Sequence, residues 1–304
     1  MSMIPTQMSL SALMTTSLDQ YQTQLGSLEQ TLTTGENISQ PSDSPTGVAN
    51  LINVNASLSA YNQYQTNIKE GQTVASLANA SMTQAVSIVQ QISSVLVQAG
   101  GPGVTAANAQ GLASQISGLE QSLLGVANTT YLGQAIFAGT SGQSTAYTQV
   151  PATATSPAIV TYQGQGSPPR VAAAPGVNLA TSLTDPFDAG ASGTGIFAAI
   201  NSAISNLSPG GNISAAAGTD LKKVQTALTA LENKAAEAGV NYDQFQVMSQ
   251  QVTGAVTQAT NEVGAIQNID TAKLTTQYQQ ELNNYQVALY ATSQLNQPTL
   301  AHYL

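Results

Sequence analysis

The sequence predicts a mainly α protein: an elongated, coiled-coil-like helical bundle formed by both chain ends, with a small β-rich domain inserted between them. Three observations carry that prediction. Apolar residues recur at alternating steps of four and three near both termini, the spacing of a seam along one helix face. Two helix-breaking clusters, ISQPSDSP at 38–45 and GGPG at 100–103, interrupt the N-terminal stretch. From residue 137 the pattern gives way to a segment rich in Gly, Pro, Ser and Thr before helical spacing returns.

The first helix, about residues 8–33, follows from Met14, Leu18, Tyr21, Leu25, Leu28 and Leu32, with Gly35 placed to cap its C-terminus. Proline inside a helix removes a backbone donor and clashes with the preceding turn, so Pro41 and Pro45 must stop one helix and start another. Ser44 before Pro45 is a helix-entry pair, because serine caps free amides and proline suits the first helical position. The seam resumes at Val54 and runs through Tyr61, Ile68, Ala75, Met82, Val89 and Leu96 to Ala99, without a proline. GGPG is read as a short turn, so the third seam, Ala109 to Val126, should lie antiparallel to the second helix.

Residues 137–195 read as short strands, AIVTY being the clearest apolar patch. GIFAAINSAISNL restores helical spacing, and after SPGGN a long seam continues from Leu221 to Ile266. Leu274, Tyr278, Leu282, Tyr285 and Leu289 carry a last helix almost to the end. The expected organisation is a terminal helical domain, 1–36 with 267–304, disordered until assembly; a helical rod, 37–136 with 211–266; and a β-rich variable domain, 137–210. Two terminal helices form a marginal pair by themselves, and their exposed apolar sides would seek partners of the same kind.

Composition narrows the function. Only 7% of the 304 residues are charged, the net charge is −9, and six residues are basic, Arg170 being the sole arginine. Nucleic-acid binding, which needs clustered cations to displace counterions from phosphates, is therefore not expected. Cysteine is absent, which removes disulfides, thiol catalysis and thiolate metal sites. The first thirty residues lack the basic start, apolar core and cleavage site of a secretory leader, so export without a cut signal peptide is the expectation. No run of about 18 apolar residues suggests membrane insertion.

No residue set for catalysis, cofactor binding or metal binding emerges. The single histidine, His302, has no neighbouring ligand, and Asp185 and Asp188 in DPFDAG read as turn residues rather than a calcium loop. GGPGVTAANAQG follows a helix and lacks the lysine of a phosphate loop. The sequons at Asn79, Asn128 and Asn212 are chance matches in a chain rich in Asn, Ser and Thr. An enzyme is not expected.

The stretch LGSLEQTLTTGENISQPSDSPTGVANL resembles the signature of the flagellin superfamily, with Thr34, Gly35, Ile38, Ser39, Pro41, Ser42, Asp43 and Pro45 in the matching places. NTTYLGQAIFAGTSGQSTAY, through Tyr131, Leu132, Gly133, Phe137, Ala138, Gly139 and Thr140, is similar to the segment that closes the helical hairpin in the hook–filament junction class of that superfamily. The last helix and the ending HYL follow the same pattern. The resemblance implies an axial structural protein of the bacterial flagellum, passed through the type III channel to the outside of the cell and assembled as a ring. It implies as partners identical subunits, a hook-side junction protein, flagellin and an export chaperone, with no cofactor. Pro41, Ser42, Asp43 and Pro45 would form the domain-joining turn, and Leu18, Leu25, Leu28, Leu32, Leu282, Tyr285 and Leu289 the assembly interface. Filament flagellin itself, and a secreted adhesin gripping a ligand with its β-rich insertion, are the alternatives.

Overall fold

A computed structural model describes residues 7–38, 40–151, 158–188 and 195–295. Ser39, His302 and the closing HYL of the sequence signature lie outside them. The chain divides into two compact units, residues 1–60 with 256–304 and residues 61–255.

The first unit contains α1 (Gln7–Thr34) and α7 (Thr271–Leu295), which pack on one another, with the start of α2 (Pro45–Ala99) and the end of α6 (Leu221–Gln267). The pair is antiparallel: Thr292 near the end of α7 meets Met14 near the start of α1, while Glu36 bridges Asn268 at the other end. Gly35 closes α1 as expected, at φ 73°, its N–H donating to the Thr31 carbonyl at 2.9 Å. That left-handed conformation is open to glycine at no Cβ penalty.

In the second unit α2 and α6 run antiparallel in close register. Gly71 faces Phe245, Asn79 faces Gly239 and Gly100 faces Ala217, so each step up one helix is a step down the other. Along α2 the buried positions include Ile68, Gly71, Ala75, Ala78, Met82, Ala85, Val89, Ile92, Leu96 and Ala99, steps of three and four. Along α6 they are Val224, Leu231, Ala238, Phe245, Val252 and Ala259, seven apart throughout. This is the coiled-coil periodicity the sequence predicts, with one buried residue per heptad on α6. A methyl group at Gly71 would lie 2.5 Å from the Phe245 ring, so glycine there is what admits the phenyl ring.

Gly103, at φ 84°, turns the chain into α3 (Ala106–Ala127), whose first turn is capped by Thr105 accepting from the Asn108 N–H at 3.3 Å. Ser81 of α2 reaches Thr129 just beyond α3, so α3 folds back along α2 as expected. Among the described residues the insertion contains three two-stranded antiparallel sheets: β1 (Thr130–Tyr131) with β2 (Gln134–Ala135), β3 (Tyr147–Val150) with β4 (Ile159–Tyr162), and β5 (Arg170–Ala174) with β6 (Val177–Ala180). Its first hairpin begins at Thr130, before the 137 expected from composition, because two-residue strands leave no periodic trace. Helix α4 (Ile196–Leu207) packs on α3, and after the single turn α5 (Ile213–Ala215) a π-helical segment, Ala216–Asp220, leads into α6.

Candidate assembly interface

Among the described side chains of α1 the half-buried ones are Met14, Ser17, Leu18, Tyr21, Leu25, Leu28, Thr31 and Leu32, one continuous stripe. On α7 the corresponding stripe is Leu274, Tyr278, Glu281, Leu282, Tyr285, Ala288, Ala291 and Thr292. Leu18, Leu25, Leu28, Leu32, Leu282 and Tyr285 lie on the half-buried stripes of α1 and α7, which pack on one another within the subunit. Leu289 does not: the stripe passes through Ala288, and Leu289 is 44% exposed. Beside it on α7 stand Val287 and Tyr290, 69% and 67% exposed, and on α1 Leu13 is 65% exposed. No described side chain of α1 or α7 is fully buried.

The turn residues sit together after α1. Gln40 donates its N–H to the Asp43 carboxylate at 2.8 Å, and the Asp43 N–H returns to the Gln40 carbonyl at 3.0 Å, closing a turn around Pro41 and Ser42. Ser44 Oγ accepts from the Gly47 N–H at 3.1 Å and Pro45 opens α2, the entry pair expected from sequence. Asn37 donates to the Gln267 carbonyl at 2.7 Å, tying this connection to the end of α6.

Phe137, Tyr147, Tyr162, Phe187 and Phe197 form an aromatic cluster with ring centroids 5.2 to 6.0 Å apart. Tyr147 donates its hydroxyl to Asp185 at 2.9 Å. Burial, reinforced by that carboxylate, pushes the Tyr147 phenol well above its ordinary value, and the same two causes push Tyr162 up to about 12. Asp185 and Asp188 take φ of 44° and 48° in a tight turn, a conformation aspartate tolerates better than most residues. Asp185 thus serves as an acceptor inside the fold.

Two other carboxyls are buried. Desolvation raises the pKa of Glu120 on α3, partly offset by the amides of Asn201 on α4 and Gln149 on β3. At Asp220 burial also disfavours charge, but hydrogen bonds from Asn206 at 2.6 Å, Ser202 at 2.8 Å and Lys223 at 3.0 Å outweigh it and hold the carboxyl below its usual range.

Asn128, one of the dismissed sequons, turns out to be a clamp. Its side-chain oxygen accepts from the N–H groups of Ala146 and Tyr147 at 2.9 and 2.8 Å, and its amide donates to the Tyr147 carbonyl at 2.8 Å. Between the 186–188 turn, α4 and the start of α6 lies an open groove of about 750 Å³. Phe187, Ile196, Ala199 and Leu231 line it beside the polar and charged residues Asp188, Thr219, Thr226, Lys222 and Lys223. Among the described residues no group of acidic or histidine side chains could hold a metal ion, and no helix is long and apolar enough to cross a membrane.

The described elements are thus a long antiparallel pair of helices, a terminal helix pair and a small β insertion. Residues 4–142 match the bacterial flagellin N-terminal helical region. More particularly, the fold is similar to that of flagellar hook-associated and junction proteins. A Vibrio parahaemolyticus chain assigned as a flagellar hook-associated protein aligns at a TM-score of 0.64 and 18% identity, over 74% of this chain and 100% of that one. The flagellar junction protein FlgL from Legionella pneumophila gives 0.57 and 12%, over 72% and 100%. FlgL from Xanthomonas campestris gives 0.53 and 14%, over 62% and 92%. At these identities the likeness establishes the fold. No curated protein matches the chain.

Proposed function

We propose that the protein is a structural adaptor of the bacterial flagellum that joins hook to filament as a ring of identical subunits. The observation that carries this reading is the incompleteness of the terminal pair. Helices α1 and α7 lie together, yet none of their described side chains is fully buried, and Leu13, Val287, Leu289 and Tyr290 face outward. Apolar surface is worth about 25 cal/mol per Å² when removed from water, so identical neighbours offering the same stripe supply what one subunit lacks. The flagellin match and the similarity to junction proteins support the same reading.

In this reading the terminal domain, 1–36 with 267–304, orders fully only in the assembly. The rod and variable domains then form the outer part, with Pro41, Ser42, Asp43 and Pro45 as the joining turn. The subunit leaves the cell through the flagellar export channel, escorted by a chaperone, and contacts a hook-side junction protein on one side and flagellin on the other. Its work is mechanical rather than catalytic.

Immunogold labelling of intact flagella tests this directly. A single band at the boundary between hook and filament is the expected result. Label along the whole filament would make the chain a flagellin, and flagella free of label would overturn the flagellar reading altogether.

A further inference from the structure

Between Glu70 and Arg170 the chain has a single charged side chain, Glu120, and the fold buries it on α3 at 3% accessibility. Burying a carboxylate is costly unless a cation or a full set of donors meets it. Glutamine, abundant in this chain, would fill the same space without that cost. An acid kept at such a place calls for a use.

Asn201 of α4, 6% accessible, and Gln149 of β3 bring their amides to the carboxyl, so the cluster sits where α3, α4 and β3 meet. The set is incomplete: Glu120 Oε1 and Asn201 Nδ2 make no hydrogen bond among the described residues. No cation comes from α3, α4, β3 or β4, which contain no Lys, Arg or His, nor from α2 beyond Lys69. The titratable groups on the surrounding strands are Tyr147 of β3 and Tyr162 of β4, and burial pushes both phenols up, so both stay neutral. Past them stand Asp185, bonded to Tyr147, and, where α4 meets the start of α6, Asp220 with Lys222 and Lys223.

Asp220 grips the same helix by the opposite chemistry. Ser202, next in sequence to Asn201, donates to it at 2.8 Å, Asn206 donates at 2.6 Å, and Lys223 adds a charged contact at 3.0 Å. This carboxyl is 1% accessible yet well supplied with donors, so it holds α4 as an anion. Glu120 suits the same helix only as a neutral acid: protonated, it gains an O–H to donate and leaves no charge out of water. We infer that α4 is a pH-operated latch, anchored at the start of α6 through Asp220, closing on α3 when Glu120 is neutral and loosening from α3 when Glu120 is charged.

Burial holds the Glu120 carboxyl above its ordinary value, so the latch is shut in acid and opens as pH rises through the folded value. Asp220 lies below its ordinary range, so the anchor persists on both sides of that change. The device belongs to the second unit alone and stands whether or not the chain forms a ring.

Hydrogen exchange of the full-length protein at about pH 4 and about pH 8, with each rate divided by the chemical rate at that pH, tests it. Protection of the amides in Ile196–Leu207 should fall at least about tenfold from acid to alkaline pH, the scale of a buried polar group left unsatisfied, while amides around Phe245 change less than about twofold. Glu120→Gln keeps the shape, cannot ionise and should abolish the fall. Equal α4 protection at both pH values, an equal loss around Phe245, or a Glu120→Gln protein that follows the wild type overturns the latch. Asp220→Asn supplies a second readout that does not depend on the first variant folding. It should lower α4 protection at both pH values and leave the ratio between them unchanged; loss of that ratio would assign the pH response to Asp220 and overturn the latch as well.

Discussion

The terminal helix pair and the central unit are both built on helical seams, but only the central unit completes its seam. There Phe245, Val252, Leu231 and Val224 are closed over by α2 and their neighbours, and five aromatic rings interlock in the insertion. In the terminal pair, Leu18, Leu25, Leu28 and Leu32 reach only half-burial against α7. Two helices expose at least half of each other's circumference, so the same heptad pattern produces a finished core in one place and an unfinished one in the other. A regular seam, then, says which face will be buried; the number of neighbours decides whether the subunit can bury it alone.

The largest expected contrast sets Phe245→Ala against Leu28→Ala. The first opens a cavity over Gly71 and Val171 and should cost about 3–5 kcal/mol in urea unfolding of the central unit. The second should cost the monomer less than about 1 kcal/mol, the surface-like response of a half-buried site. An equal loss at both positions would mean the terminal pair is already as complete as the centre. Limited proteolysis sharpens the point: trimming should begin in the terminal helices and leave a stable central fragment, and uniform resistance from end to end would count against the contrast.

Next in size is Asp220→Ala, which strands Ser202, Asn206 and Lys223 and should cost about 1–3 kcal/mol. The depressed pKa of Asp220 makes its contribution present at neutral pH and lost as pH falls through the folded value. Glu120 runs the other way. Its folded pKa lies above the unfolded one, so its contribution is full in acid and lost as pH rises through the folded value. Glu120→Gln should therefore raise the urea midpoint near neutrality and flatten its decline with rising pH. A variant that tracks wild type across the whole range would refute that assignment.

The smallest effect is expected at the joining turn. Asp43→Ala removes the acceptor of the Gln40 N–H and should cost about 0.5–1 kcal/mol, measured as a shift in the thermal midpoint of the first unit. A loss as large as that at Phe245 would make the turn a structural keystone rather than a connector.

The helices were legible because their seams repeat many times: α1, α2, α3 and α7 begin and end within a few residues of where Gly35, Ser44, GGPG and Leu274 placed them. Leu289 shows the limit of that reading. Leucine at the correct spacing was taken for the seam, but Ala288, smaller and adjacent, lies on the half-buried stripe, and a one-residue difference turns a side chain by about 100° around the helix. Asn128 and Gly71 were missed for another reason. Their partners, the 146–147 backbone and Phe245, are distant in sequence, and a lone Asn or Gly carries no periodic signal. For Gly71 the only local sign was a glycine interrupting an otherwise continuous helical run. The groove belongs to the same category, since it is assembled from a turn and two helices that no spacing rule connects.

The π-helical segment Ala216–Asp220 has a longer reach than its five residues suggest. Its wide loop accommodates one more residue per turn than an ordinary α-helix would, so it works as a phase adjuster for the 47 residues of α6 that follow. Deleting Gly218 would let the segment close into an ordinary α-helical turn and leave Phe245 facing the notch at Gly71, because five residues of a π turn and four of an α turn sweep nearly the same angle. An extra residue near the start is thus absorbed there instead of being broadcast down the shaft.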